Sequence, residues 1–562
     1  APAAITGFVP GDTLLVADSS SNIVTQLSML EGLAQSGRLT AIHLTDAGTP
    51  TLSLSAAQRS AGADVLARIA TPYQLASGVT WIAEQSGSFD DAAQWSGGSV
   101  PDADADAVID SAGQPTVTIS GTHALHTLAN LAGHFILTGG ILQVGQLDNE
   151  SSLAWNGGSI ALDGSDADSS GLVNGAGATL SILANGQQIG GTGDFANAGA
   201  MLISGTGQVA LDTPLVNTGN LVVTQGTLEL NAGGRSTGSI VAQPGGNIVF
   251  GGGSFAVTGG YAGNSTTISG GTLDVSAVAG NFRTLLLSAG ALALSTAAAD
   301  SNGPLLQAGG TLDGSGSFVA FAGAQLSGGV QTGPGSTRLL GQSTISGTAL
   351  DGGRTLRNDG ALTWSSGDIL AGGGDTAAVI HGATLSNTGV LRITAQATIG
   401  PANDGSGMVT NAGLISVQAG AGSATMKASL LNAGIVVVES GTLSLAGPVS
   451  GGGLFEIAGG AALAFANLVG AGETLRFLGG GGTLAIDQTG PFAMPVAGFV
   501  AGDVLDLTAL DFAAGPSARL SGGTLTVSDG THSAMLSLIG SYAASGFQLT
   551  GDAHGGVLAQ YS

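Results

Sequence analysis

Between Leu356 and Gly447 the chain repeats one phrase four times: an apolar residue, any residue, Asn, any residue, Gly, then alternating apolar positions. The aligned asparagines are Asn358, Asn387, Asn411 and Asn432, spaced 29, 24 and 21 residues apart. The phrase also occurs loosely around Asn174 and more closely around Asn197 and Asn217. A repeat of about 20 to 30 residues made of short strands and turns must stack on its neighbours, because one unit is too small to bury its own apolar face. Asn followed by Gly two places on reads as a turn, since Asn bonds its own backbone and Gly adopts left-handed conformations without steric cost. Stacked asparagines at one corner would form an amide ladder along the axis. Between corners, IVVVESGTLSLAG and LVVTQGTLEL alternate with a two-residue period, sending one set of side chains inward. The expected fold is mainly β: a right-handed parallel β-helix, or solenoid.

The rest of the chain departs from that period at both ends. Residues 1–80 read as a small α/β module. Strands are expected around 6–16, in LTAIHLTD and in TLSLS. One helix is expected over 22–36, with Ile23, Leu27, Leu30 and Leu33 on one face and Gly37 as its stop; a second is capped by Ser55. Residues 81–114 form an aromatic and acidic cap in which Trp81, Phe89 and Trp95 plug the end of a narrow core. The β-helix is expected over 115–490, with Trp155 and Trp364 in comparable places, each just before a Gly turn. Residues 491–562 form a C-terminal β cap, with a hairpin signal around Asp529-Gly530.

Composition narrows the partners. Twelve Lys and Arg face 37 Asp and Glu, a formal net charge of -25, which removes the electrostatic source of nucleic-acid binding and of attraction to anionic membranes. Cysteine is absent, which excludes disulfides and thiolate metal sites and is compatible with export. No apolar run reaches the length of a transmembrane helix, and APAAITGF lacks the form of a classical secretory signal.

Candidate sites are few. Asp102, Asp104, Asp106 and Asp110 alternate in an acidic run and are the best candidates for a metal site, Ca²⁺ being the hard cation that wants several oxygen ligands. A solvated acidic turn is the plainer alternative. His123, His126 and His134 are the one local histidine group, and would hold a transition metal only if strands brought them to one face. No nucleophile, phosphate-loop or zinc-protease motif is present. Asp274 and Asp313 each close a Gly-Thr-Leu-Asp strand and could share a face as paired carboxylates. Arg354 and Arg357 are the nearest basic pair, too few for a lyase site.

The segment W…FDDAAQW…VPDADADAVI, the LxNxG coils and the preceding LTDAGTPTLSLSAAQ make the chain resemble the large secreted repeat proteins of alphaproteobacteria, of the adhesin or hemagglutinin-like and autotransporter-passenger type. The ending DVLDLTALDF…GGTLTVSDGTHSAMLSLIGSY resembles C-terminal modules of proteins exported by type I secretion. That resemblance implies a secreted or cell-surface location. The expected function is a non-enzymatic structural or adhesive protein whose partners are copies of itself or surface glycans. A surface-layer or filament subunit is one alternative; a polysaccharide hydrolase or lyase built on the same fold is another.

Overall fold

The computed structural model describes residues 13–54, 56–96, 98–163, 171–183, 185–275, 280–295, 298–371, 382–400 and 407–562. The chain divides into two compact units, residues 1–260 and 261–562.

The first unit opens with the α/β module. Strands Leu14–Asp18 and Leu39–Leu44 pair in parallel, as do Thr51–Leu54 and Gln74–Ser77. Helices cross between the members of each pair, as parallel connections require. The helix expected over 22–36 is two helices, Ser20–Thr25 and Leu27–Gln35, meeting at Gln26. Ile23, Leu27 and Leu30 still share the buried face, against Leu39, Ile42, Leu52, Leu54 and Val65. Gly37, at φ 71°, ends the second helix where expected. The next helical stretch is likewise split, into Ala56–Ala61 and Ala63–Leu66. Gly62 lies between them because a Cβ there would stand 2.7 Å from a Leu27 methyl. Ser55 and the first part of the expected opening strand fall outside the described residues.

Parallel stacking begins within the aromatic and acidic segment. Val79–Thr80 pairs with Asp106–Asp110, which pairs with His123–Ala132, which pairs in turn with His134–Asn149. Trp81, Phe89 and Trp95 are buried together in one aromatic cluster, with ring centroids 5.2 Å (Trp81–Trp95) and 5.0 Å (Phe89–Trp95) apart. Beyond them the coils become regular. Phe195–Asn197, Ala200–Ser204 and Gln208–Leu211 each pair in parallel, one coil on, with Leu215–Asn217, Asn220–Val223 and Gly226–Leu230. Alternation decides which side chains go inside: Phe195, Met201, Ile203, Val209 and Leu211 are buried, and their neighbours along each strand face out.

The second unit repeats this plan. Thr355–Asn358, Ala361–Trp364 and Ile369–Ala371 make one coil, and parallel pairing continues to Val504–Leu507. Trp364 is fully buried and donates its indole N–H to Gly367 O at 2.8 Å; in the first unit Trp155 does the same to Gly158 O at 3.2 Å. The comparable places expected of these two tryptophans are therefore the same place.

The chain then turns antiparallel. Ser517–Ser521, Thr524–Ser528 and Ser533–Ile539 form a meander, and Val557–Tyr561 lies antiparallel on both Phe547–Gly551 and Val504–Leu507. The expected hairpin at Asp529-Gly530 is present. The Asp529 carboxylate accepts the N–H groups of His532, Asp511 and Thr531 at 2.6, 3.0 and 2.8 Å, which together hold it well below the usual carboxylate range. Among the described residues no helix is long and apolar enough to cross a membrane.

Candidate functional site

The most ordered polar feature is a column of asparagines inside each unit. In the first, Asn130, Asn149, Asn174, Asn197 and Asn217 are successive Cα partners. Each donates its side-chain N–H to the next amide oxygen, at 2.8, 2.8, 2.7 and 2.6 Å, and Asn217 donates to Ser236 Oγ at 2.9 Å. In the second, Asn358, Asn387, Asn411 and Asn432 are joined in the same way at 2.7, 2.8 and 2.8 Å. The second N–H of most members reaches a main-chain carbonyl of the following coil, such as Val390 O from Asn358 and Leu414 O from Asn387, both at 3.0 Å. None of these asparagines is more than 1% exposed. Spending both donors on fixed acceptors is what makes burial of a primary amide tolerable.

The ladder and its place at a corner match the expectation, but the reason for the glycine does not. The asparagines occupy the last inward position of a strand, with the bend to the next strand directly after them, so they stand at the corner where they were expected. The glycines two places on, Gly389, Gly413 and Gly434, are not left-handed. A Cβ at Gly413 would lie 2.2 Å from Gly389 O, and one at Gly434 would lie 2.2 Å from Gly413 O. Close approach of stacked backbones, not left-handed conformation, requires glycine there.

The ladders have polarity. Every amide donates toward the C-terminus, so the first oxygen of each series, Asn130 Oδ1 and Asn358 Oδ1, receives no hydrogen bond among the described residues. The residues one coil earlier are Ile109 and Leu339, which have no donor to give. At the far end of the second ladder the column position is Gly451, and a carboxylate takes the vacated space: Asn432 donates to Glu473 Oε2 at 3.3 Å. Glu473 is fully buried, and burial pushes its carboxyl above the usual value despite hydrogen bonds from Asn432 and the Gly453 N–H. Asp503, also fully buried, is raised for the same reason, although Val500 and Gly482 donate to it at 2.9 and 3.0 Å.

A folded state that holds a proton more tightly than the unfolded chain is most stabilised below the unfolded pKa. It loses that contribution as pH rises through the raised folded pKa. Urea unfolding of the C-terminal coils is therefore expected to show a higher midpoint at pH 5 than at pH 7. Glu473→Gln should raise the pH 7 midpoint and flatten its share of the slope; an unchanged slope would show that Glu473 does not titrate in this range.

Arg354 is the other buried charge. It is fully enclosed, donating to Gly314 O, Ser336 O and Thr337 Oγ1 at 3.2, 3.2 and 3.0 Å; burial pushes it down to about 10, opposed by the Asp313 carboxylate. Its sequence neighbour Arg357 is exposed and bonded to Asp359. The two arginines therefore do not act as a pair.

The acidic run is dispersed. Asp102 accepts the Asp104 N–H within a turn, and Asp106 is engaged by His126 Nδ1 at 2.6 Å and Thr127 Oγ1 at 3.0 Å. Asp110 is exposed at the end of its strand. His123 bonds a different carboxylate, Asp90, at 3.1 Å, and His134 is exposed elsewhere. Among the described residues, no three His, Asp or Glu side chains are gathered to hold a metal ion.

Two outward features are positioned by the coils. Asp274, Ala293 and Asp313 are successive Cα partners, so the two carboxylates do share a column, two coils apart. Gln325, Thr344, Thr363 and Arg392 form another column, and with Gln342 they line a groove of about 320 Å³. Set against protein-family models, curated proteins and solved structures, the chain matches none.

Proposed function

We propose that this chain is a non-enzymatic structural or adhesive protein of the extracellular surface, whose coils present hydrogen-bonding faces to glycans or to a second copy. The observation that carries this reading is the groove of amide and hydroxyl side chains repeated in register along the Gln325 column. Repetition at the coil step, about 4.8 Å, suits a ligand that is itself a repeating chain of hydroxyl groups. The absence of cysteine and the acidic surface fit export and solubility outside the cell.

The test is incubation of the purified chain with an oligosaccharide panel, following binding and product length together. Retention of an oligosaccharide with its length unchanged is the expected result, and time-dependent shortening would overturn the reading. Light scattering with Ca²⁺ and then chelator decides whether the surface-layer or filament variant, and a calcium link through Asp102 to Asp110, belongs to it.

One observation favours a carbohydrate-active enzyme instead. Two coils separate the Asp274 and Asp313 backbones by about 9–10 Å, near the about 6.5–9.5 Å between the carboxylates of inverting glycosidases. On that reading Asp274→Asn and Asp313→Asn would each abolish turnover.

A further inference from the structure

The coil faces are not uniformly acidic. The segments 336–345, 355–364 and 384–393 stack on one another and contain Arg338, Arg357 and Arg392 but a single acid, Asp359, in a chain whose acids outnumber its bases 37 to 12. Arg338 and Arg357 both bond Asp359. Burial would raise that carboxyl, but hydrogen bonds from Thr388, Arg357 and Arg338 outweigh it and hold it at about 2, so it stays ionised. Arg392 is exposed and has no acidic partner among the described residues. It stands at one end of the groove, in column with Thr363, Thr344 and Gln325. Ala361 lines the groove with a side chain too short to fill it, whereas Ala324 belongs to the buried core beneath it.

We propose that this groove binds a carboxylate-bearing oligosaccharide, a chain of uronate rings, with Arg392 on the carboxylate and Gln325, Gln342, Thr344 and Thr363 on ring hydroxyls. The proposal rests on the glycan-binding reading above and names the ligand class. Guanidinium forks match carboxylates in a bidentate geometry, and their hydrogen bonds are charge-assisted. The acids elsewhere on the chain do not cancel this attraction, because charges more than about 8 Å apart are largely screened at physiological salt. A nucleic acid is disfavoured, since its affinity comes from neutralising many phosphates and the groove offers one unpaired cation.

The experiment is calorimetric titration of the full chain with an oligogalacturonate, with neutral oligogalactose of equal length and polyglutamate as comparators. Oligogalacturonate is expected to bind, more weakly as salt is added. Arg392→Gln should weaken it about tenfold, and Arg392→Lys should retain part of the affinity, with circular dichroism unchanged in both. Equal binding of neutral oligogalactose or of polyglutamate would overturn the uronate assignment. Loss of self-association rather than of sugar binding in Arg392→Gln would assign the patch to a second copy and overturn it too. Oligogalacturonate binding indifferent to Arg392 overturns this site and leaves the scaffold reading standing; progressive shortening of the oligosaccharide overturns the scaffold reading itself.

Discussion

Asn387→Asp is expected to destabilise the second unit by about 3–5 kcal/mol at pH 7, the range for an uncompensated buried charge. The substitution keeps the shape of the side chain and exchanges a donor for an acceptor. In place of an N–H group, an oxygen would face Asn411 Oδ1 and Leu414 O, which now receive hydrogen bonds at 2.8 and 3.0 Å. Burial would raise the pKa of the new carboxyl above its unfolded value of about 3.9. The loss should therefore shrink as pH falls through the raised folded pKa, because a protonated carboxyl again offers a donor to Asn411. Asn387→Leu provides the contrast. It strands the same acceptors without introducing charge, and should cost about 2–3 kcal/mol with no pH dependence of its own. Urea unfolding of both variants between pH 4 and 7 checks the pair, and parallel pH profiles would show that the ladder does not set the energetics of the core.

Gly413→Ala should be nearly as damaging, for a steric reason. The added methyl would stand 2.2 Å from Gly389 O and 2.7 Å from the Thr388 carbonyl carbon, both main-chain atoms held by the inter-coil hydrogen bonds. The coils must separate locally, at a cost of about 3 kcal/mol or more, the upper part of the range for overpacking. Gly190→Ala is the control, since nothing lies within 4 Å of its would-be Cβ and its φ is not left-handed. There the change should lie within about 0.5 kcal/mol of neutral. Gly413→Asn separates the two explanations of the glycine. A left-handed turn would accept Asn, whereas a close backbone contact rejects Asn as firmly as Ala. Thermal melting of the three variants gives the answer directly.

The asparagine phrase was legible because alternation and spacing are local properties of the chain. Six ladder members carry Gly two places on, Asn197, Asn217, Asn358, Asn387, Asn411 and Asn432, and all six are in the columns. Asn130, Asn149 and Asn174 lack it: Gly133 is three places from Asn130, Glu150-Ser151-Ser152 follows Asn149, and Ala176 stands two places after Asn174, between Gly175 and Gly177. The apolar-x-Asn part of the phrase persists in Leu128-Ala129-Asn130 and Leu147-Asp148-Asn149, and would have found both. The left-handed explanation of the glycine failed because Asn-x-Gly reads as a turn signal in isolated sequence, and only stacked backbones reveal the steric demand. Buried charges were not legible for a similar reason. Nothing in the local sequence of Glu473, Asp503 or Arg354 distinguishes them from surface residues, and their burial follows from which coil lies above them. Among the candidate sites, the Asp274–Asp313 column was legible from the repeated Gly-Thr-Leu-Asp strand. The Arg392 groove was not, because its residues come from four strands that only stacking brings together.

The ladder bond between Asn130 and Asn149 closes across 19 residues at 2.8 Å, and that between Asn358 and Asn387 closes across 29 at 2.7 Å. Contour length between rungs is thus decoupled from rung geometry, and lengthening a flexible loop is entropically cheap, about 0.6 kcal/mol per doubling. The columns act as registration pins. The 29-residue and 19-residue spacings therefore place their asparagines in equivalent rungs, and the column, not the length of chain between its members, sets the step of the coils.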